Sequence, residues 1–218
     1  PSAVAHMDEW PLPEPALCEY VDPATPDLWV PVQIRRGCPN DCSYCSTWMI
    51  QGRRIRTRSP DLVAASMGRM AEAGFERFYI VDNSFNIPRK QAVELCRVIS
   101  DLRTELTWRC ILYPHQVDDD LLDAMQEAGC VEVALGFESG SERVLRAMNK
   151  RYTPAEVRDL SGRLASRGIR RTGFLLLGGP GETRETVEES LAFADSLELD
   201  MLRTTVGIRI YPGTSLAR

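Results

Sequence analysis

Between residues 29 and 210 the chain alternates short, β-rich apolar runs with longer stretches whose apolar positions recur at helical spacing, the signature of parallel βα units. Six runs read as strands, at 29–34, 78–82, 108–113, 131–136, 172–177 and 204–210. Phe174-Leu175-Leu176-Leu177 is continuously apolar, as expected of a strand covered on both faces. Helix starts are marked by Ser59-Pro60-Asp61, an N-cap followed by an N1 proline, and by Thr153-Pro154-Ala155-Glu156, which adds a capping-box glutamate. Gly74, Gly129 and Gly168 each follow a helical run and precede a strand, where a left-handed residue lets the chain turn back. The pattern predicts an α/β fold. Right-handed crossovers between consecutive parallel strands give either a partial barrel or an open doubly wound sheet, and in both, ligands sit at the C-terminal strand ends.

Composition narrows the class. At 218 residues, with 44% hydrophobic and 26% charged positions, the chain suits one sizeable core and excludes a disordered or fibrous protein. No apolar run approaches the roughly 20 residues of a membrane span, and the N-terminus lacks a secretory pattern, so a cytoplasmic protein is expected. A formal net charge of −5 argues against a surface built for nucleic-acid backbone. The chain opens at Pro1, and Trp10-Pro11-Leu12-Pro13-Glu14-Pro15 reads as extended linker. The expected division is a Pro-rich linker from an upstream domain over 1–28 and an excised core barrel over 29–218.

The chemistry concentrates in Arg36-Gly37-Cys38-Pro39-Asn40-Asp41-Cys42-Ser43-Tyr44-Cys45, directly after the first strand. Seven cysteines are an odd number, and three crowded into one loop favour metal binding in a reducing compartment over a disulfide framework. A cubane iron–sulfur cluster normally takes four thiolates, so three with no fourth nearby leave one iron open. A structural zinc site is the competing reading, but His6, Cys18, Cys110, His115 and Cys130 stand at no zinc-finger spacing.

The Cys-x3-Cys-x-aromatic-Cys loop resembles that of the radical S-adenosylmethionine (SAM) superfamily, and the similarity runs from about Trp29 to Thr214. The resemblance implies a partial (βα)6 TIM-like barrel of parallel strands, a [4Fe–4S] cluster on Cys38, Cys42 and Cys45, and cleavage of SAM to a 5′-deoxyadenosyl radical. It further implies that Tyr44 lies beside adenine and that Asp82 and Asn83, ending strand two, stand where the SAM amino group binds. By the same resemblance Glu138 and Ser139 match a ribose-contacting motif, and a basic residue near Lys150 pairs with the SAM carboxylate. Leu177, Gly179 and Glu182 fit three of four places in a strand-five pattern near adenine, with Leu175 where the family has its first glycine, and Ile208 on strand six completes the pocket. Asp82-Asn83-Ser84 departs from the commoner Gly-Gly-Glu. The linker Asp8-Glu9-Trp10-Pro11-Leu12-Pro13, followed by Arg35-Arg36-Gly37-Cys38-Pro39 and by Gly136-Phe137-Glu138-Ser139-Gly140, resembles the subgroup in which a cobalamin-binding domain precedes the barrel and many members methylate unactivated carbon. That implies cobalamin held outside this chain, a small-molecule or biosynthetic-intermediate substrate, and an electron donor such as flavodoxin or ferredoxin.

Each position has a plainer alternative. Strand-end polar residues and Gly178-Gly179-Pro180-Gly181 also suit ordinary turns, and it is their placement at one face that gives them weight. With 24 arginines and two lysines in the chain, Lys150 reads as a compact charge kept for a purpose, against a solvated helix-end cation. The run Arg53-Arg54-Ile55-Arg56-Thr57-Arg58 reads first as a solvated loop and second as a phosphate or RNA contact without stacking aromatics. His115 reads as a polar loop residue before a proton donor. Two other functions remain open: a methylthiotransferase-like enzyme, which needs a second cluster that the scattered Cys18, Cys96, Cys110 and Cys130 do not suggest, and a non-catalytic iron–sulfur or zinc module.

Overall fold

A computed structural model describes residues 6–218. In chain order its elements are β1 (Val30–Val32), β2 (Arg35–Arg36), α1 (Thr47–Gln51), β3 (Arg56–Thr57), α2 (Pro60–Glu72), β4 (Arg77–Ile80), α3 (Arg89–Asp101), β5 (Thr107–Leu112), α4 (Asp119–Glu127), β6 (Cys130–Glu138), α5 (Glu142–Ala147), α6 (Pro154–Ser166), β7 (Arg170–Leu177), α7 (Arg184–Ser196) and β8 (Met201–Val206). Six strands form one parallel sheet in the order β1-β4-β5-β6-β7-β8. Neighbours in space follow the order of the chain without reversal. A doubly wound sheet reverses at a central switch point, so this order decides for the partial (βα)6 barrel.

The pleat sorts each strand into a helix-facing and a barrel-facing set. In β5, Trp108, Cys110 and Leu112 are buried in the main core with Leu95, Leu121 and Met125 from the covering helices, while Thr107, Arg109 and Ile111 on the other face are half-buried. The Trp108 indole donates to the Ala128 carbonyl at 2.7 Å, satisfying its one polar atom inside that core. The expected capping box is present: Thr153 and Glu156 reciprocate at the start of α6.

Each of the six strands shifts by a residue or more from the sequence pattern at one or both limits, and two of the shifts bear on the site. β6 continues to Glu138 through a register shift between Leu135 and Glu138, so the whole of the Gly136–Glu138 motif lies on the strand end. β8 begins at Met201 and stops at Val206, so Ile208 lies beyond the strand rather than on it. Gly207 is the cause: at φ +91° it turns the chain, and its N–H returns to the Leu177 carbonyl at 2.8 Å. β1 and β8 are the two sheet edges, which explains why Pro31 is tolerated within β1.

The Pro-rich segment is extended, as composition suggested, but it is docked on the core instead of hanging free. Three of its carbonyls meet one buried partner, Arg58, which donates to Met7 O at 2.6 Å, Trp10 O at 2.7 Å and Pro11 O at 3.3 Å. Asp8 accepts from the Ser59 N–H at the head of α2, Ser66 donates to Pro13 O, and Glu14 pairs with Arg69. Arg58 is thereby removed from the basic run as a candidate phosphate contact; Arg53 stacks over Trp48 at 4.4 Å, and Arg56 donates to the Gln51 carbonyl. Arg58→Ala is expected to destabilise the protein by about 3 kcal/mol, because it strands buried carbonyls. Urea unfolding, with faster proteolysis before residue 15, checks this. Among the described residues, no helix is long and apolar enough to cross a membrane.

Candidate functional site

The cysteine loop leaves the sheet after β1 and is closed at its base by the antiparallel pair β2 and β3, which sets Arg35 opposite Thr57 and Arg36 opposite Arg56. Gly37 begins it at φ +103°, where a Cβ would lie 2.2 Å from the Arg54 carbonyl oxygen. Only glycine fits there. The Gly37 N–H donates to Gln51 Oε1, and the Cys38 N–H to the Gly52 carbonyl, both at 3.1 Å. Further along, the Ser43 N–H donates to Met148 O at 3.0 Å and the Ser43 carbonyl accepts from Leu216 N–H at 2.9 Å. Gly37→Ala is therefore expected to lower iron incorporation severalfold while the far-ultraviolet circular dichroism of the barrel persists; full incorporation would show that the tight approach does not matter.

Cys38, Cys42 and Cys45 are all half-buried free thiols. Burial pushes the Cys38 and Cys42 thiols up, and the like charges of the other cysteines in the trio add to the effect. A cubane cluster assigns each thiolate to a separate iron, and three free, half-buried thiols on one loop match that donor set.

Beside the loop lies a compact charged network. The Tyr44 hydroxyl donates to Glu138 Oε1 at 2.9 Å, and Lys150 Nζ donates to the same oxygen at 3.1 Å. The Lys150 ammonium is 5.3 Å from the Tyr44 ring centre and 5.8 Å from that of Tyr152, whose hydroxyl donates to Gly136 O at 2.6 Å. Its side chain is only 6% exposed, so the alternative of a solvated helix-end cation does not describe it. Lys150 reaches this position because α5 ends with Asn149 at φ +57°, and the Lys150 N–H bonds back to Leu145 O at 2.9 Å. Burial opposes its charge, but Tyr152, Glu138 and Tyr44 outweigh it and hold the ammonium well above the ordinary lysine range. Burial likewise raises the Tyr44 hydroxyl, which stays protonated as a donor. Glu138 is itself at φ +62°, an uncommon conformation for a glutamate, at the register shift that ends β6.

Two of the expected site residues spend their polar atoms on the fold. Asp82 does not offer its carboxylate to the open face: it is 2% exposed, accepts from the Ile34 and Arg35 N–H groups at 3.3 Å each, and faces the Arg35 guanidinium at 3.5 Å. Asn83, next to it, is exposed, with its amide 3.4 Å from Gln51 Oε1. Ser139 is fully buried; its hydroxyl meets Ser190 Oγ at 2.8 Å and accepts from the Ser141 N–H at 3.1 Å, so it braces the turn after Glu138 rather than reaching a ligand. Burial pushes the Asp82 carboxyl up to about 7 against the pull of Arg35 and Arg58. Because the folded state holds that proton more tightly than the unfolded chain, Asp82 should subtract stability as pH rises from about 4 to 7. Asp82→Asn should flatten that part of the stability profile of the cluster-free protein, measured by urea unfolding; an unchanged slope would contradict the assignment.

The remaining residues frame the same end of the barrel. Gly179 follows β7, and a Cβ there would stand 2.5 Å from Met148 Cε. Ile208 and Tyr44 pack on Val144, Met148 and Leu176, while Leu177 packs with Phe137 and Leu175. Glu182 accepts from the Gly178 N–H. His115 stands 3.4 Å from Glu156, beside a cavity of about 480 Å³ that Asn40, Tyr113 and Arg151 also line. Sequence reading missed Tyr152 and Arg35. An aromatic two residues after Lys150 was a signal for the first; nothing short of the fold distinguished Arg35 from Arg36.

The family described as the radical SAM superfamily matches residues 32–194. An uncharacterized methyltransferase of Pyrococcus horikoshii is 31% identical over 186 residues, covering 85% of this chain and 40% of the relative. A tRNA-2-methylthio-N(6)-dimethylallyladenosine synthase of Acetivibrio thermocellus is 28% identical over 186 residues, covering 79% of this chain and 38% of the relative. The structure of a radical SAM methyltransferase from Kitasatospora setae, with cobalamin and a [4Fe–4S] cluster bound, superposes with a TM-score of 0.82 at 24% identity, over 86% of this chain and 38% of that one. The chain spans well under half the length of these relatives.

Proposed function

The chain belongs to the radical SAM superfamily, and from that premise we propose that it forms the catalytic core of a radical SAM methyltransferase acting with cobalamin held by a separate domain. The observation that carries the SAM-cleaving core is the meeting of three half-buried thiols and a buried Lys150–Glu138–Tyr44 network at one end of a partial barrel. The relative named as a methyltransferase supports the reaction class. The linker and the Gly136–Gly140 motif support cobalamin.

When bound, the [4Fe–4S] cluster and SAM supply the one-electron cleavage of a sulfonium that the family uses to start radical chemistry. The chain's own residues bind and orient. Cys38, Cys42 and Cys45 would hold the cluster through their thiolates. Lys150 has three donors, so it keeps Glu138 and still presents N–H to a carboxylate. Asn83, exposed where Asp82 is not, would meet the amino group of SAM. Glu138 would accept from the ribose hydroxyls, while Tyr44, Leu177, Gly179 and Ile208 would flank adenine and exclude water. The substrate is a small molecule or biosynthetic intermediate, and the electron comes from a flavodoxin- or ferredoxin-type donor in the cytoplasm.

Anaerobically reconstituted protein given dithionite and SAM should release 5′-deoxyadenosine, and a preparation that also carries cobalamin should transfer a methyl group from SAM. A fully loaded cluster that never turns over SAM would overturn the reading. Cys96, Cys110 and Cys130 are buried in the core and Cys18 packs against it, so the second cluster of a methylthiotransferase would have to be held outside the described residues.

A further inference from the structure

Arg35 is a charge in an unusual place. Its side chain is 4% exposed and its partner, Asp82, 1% exposed, with 3.5 Å between Nε and Oδ2. Among the described residues, Arg35 Nη1 and Asp82 Oδ2 have no hydrogen-bond partner, so the pair is desolvated without being fully satisfied. Such a pair is a poor stability device: apolar residues of similar volume commonly do as well or better. Its position suggests another use. Arg35 opens β2 at the base of the cysteine loop, three residues before Cys38, so the chain itself keeps this residue within about 10 Å of Cys38, Cα to Cα. Asp82, arriving from the end of β4, holds the Arg35 and Ile34 backbone through Oδ1 and keeps the guanidinium in place with the other oxygen.

We propose that Arg35 is a positioning residue for the electron, a fixed positive charge at the base of the cysteine loop that favours the reduced state of the cluster, with Asp82 as its orienting counter-ion. The proposal rests on the reading that Cys38, Cys42 and Cys45 hold a [4Fe–4S] cluster. In the step concerned, one electron passes from a flavodoxin- or ferredoxin-type donor to the cluster; no bond forms and no proton moves. The cluster gains one negative charge, which a nearby buried cation stabilises, and net charge and hydrogen bonding around the sulfurs are known levers on such potentials.

The test is a redox titration of the reconstituted protein at pH 8, followed by electron paramagnetic resonance of the reduced cluster. Arg35→Gln should lower the ratio of reduced to oxidised cluster at a fixed potential about tenfold, which is 59 mV for a one-electron couple. Asp82→Asn should raise that ratio severalfold, and the double variant should fall between the two single ones. Arg35→Lys should retain most of the wild-type ratio. A merely structural pair predicts no such opposition of sign. Equal potentials in all variants, or shifts of the same sign for Arg35→Gln and Asp82→Asn, would overturn the proposal. If Arg35→Gln does not load iron, Asp82→Asn alone still decides, since an unchanged or lowered ratio contradicts the assignment. A wild-type chain that assembles no cluster at all would instead sink the reading beneath it.

Discussion

Alanine at any one of Cys38, Cys42 or Cys45 is expected to abolish 5′-deoxyadenosine formation, a loss of at least about a thousandfold, or roughly 4 kcal/mol of transition-state stabilisation. Two thiolates would leave two irons open and the cluster short of the anchorage it needs. Iron analysis should show the cause directly, as a fall in iron and sulfide per chain beside unchanged secondary structure. Cys96, Cys110 and Cys130 give the control. They lie in the main core, and burial pushes the Cys96 and Cys110 thiols far up, so their alanine variants should keep full iron and lose only packing. Iron retention in Cys42→Ala, or iron loss in Cys110→Ala, would misplace the site.

The second large effect is expected at Lys150. Lys150→Met leaves the Glu138 carboxylate, 17% exposed, without its cation, and breaking such a pair should destabilise the protein by about 3 kcal/mol. Removing both charges in Lys150→Met with Glu138→Gln should recover most of that stability, because Tyr44 can still donate to the glutamine oxygen. SAM binding should not recover in the double variant. A fall in affinity of about thirtyfold or more is expected in both, equivalent to roughly 2 kcal/mol. Lys150→Arg should rescue poorly, since the space bounded by Tyr44 and Tyr152 admits a compact ammonium better than a planar fork. Urea unfolding and equilibrium dialysis with SAM separate the two effects. Unaltered SAM affinity in Lys150→Met would show that the ammonium serves the fold alone.

The difference between what was legible in the sequence and what was not follows the physics of each feature. Strand and helix periodicity is local, so six βα units could be read directly, and the cysteine spacing is a chemical constraint written on consecutive residues. Strand order is not local; the choice between barrel and open sheet waited for the β1-β4-β5-β6-β7-β8 succession. The last strand was misjudged because Arg203 interrupts its apolar run on an exposed edge, whereas Gly207 marks its true end. At the site, position in a motif foretold neighbourhood but not direction. Asp82 and Ser139 stand at the expected strand ends, yet one turns to Arg35 and the other to Ser190, because a buried polar atom goes to the partner the fold supplies. Lys150 was marked by its rarity, and its burial followed from an Asn149 cap that sequence alone could not distinguish from an ordinary helix end.

The most direct test of the account is whether SAM grips an open iron. Protein reconstituted under argon and reduced should show a [4Fe–4S]⁺ resonance that changes shape when SAM is added, and SAM carrying ¹⁵N at its amino group should show hyperfine coupling to the cluster. Stoichiometric mononuclear zinc with no recoverable iron, or a cluster whose resonance SAM leaves untouched, would contradict it.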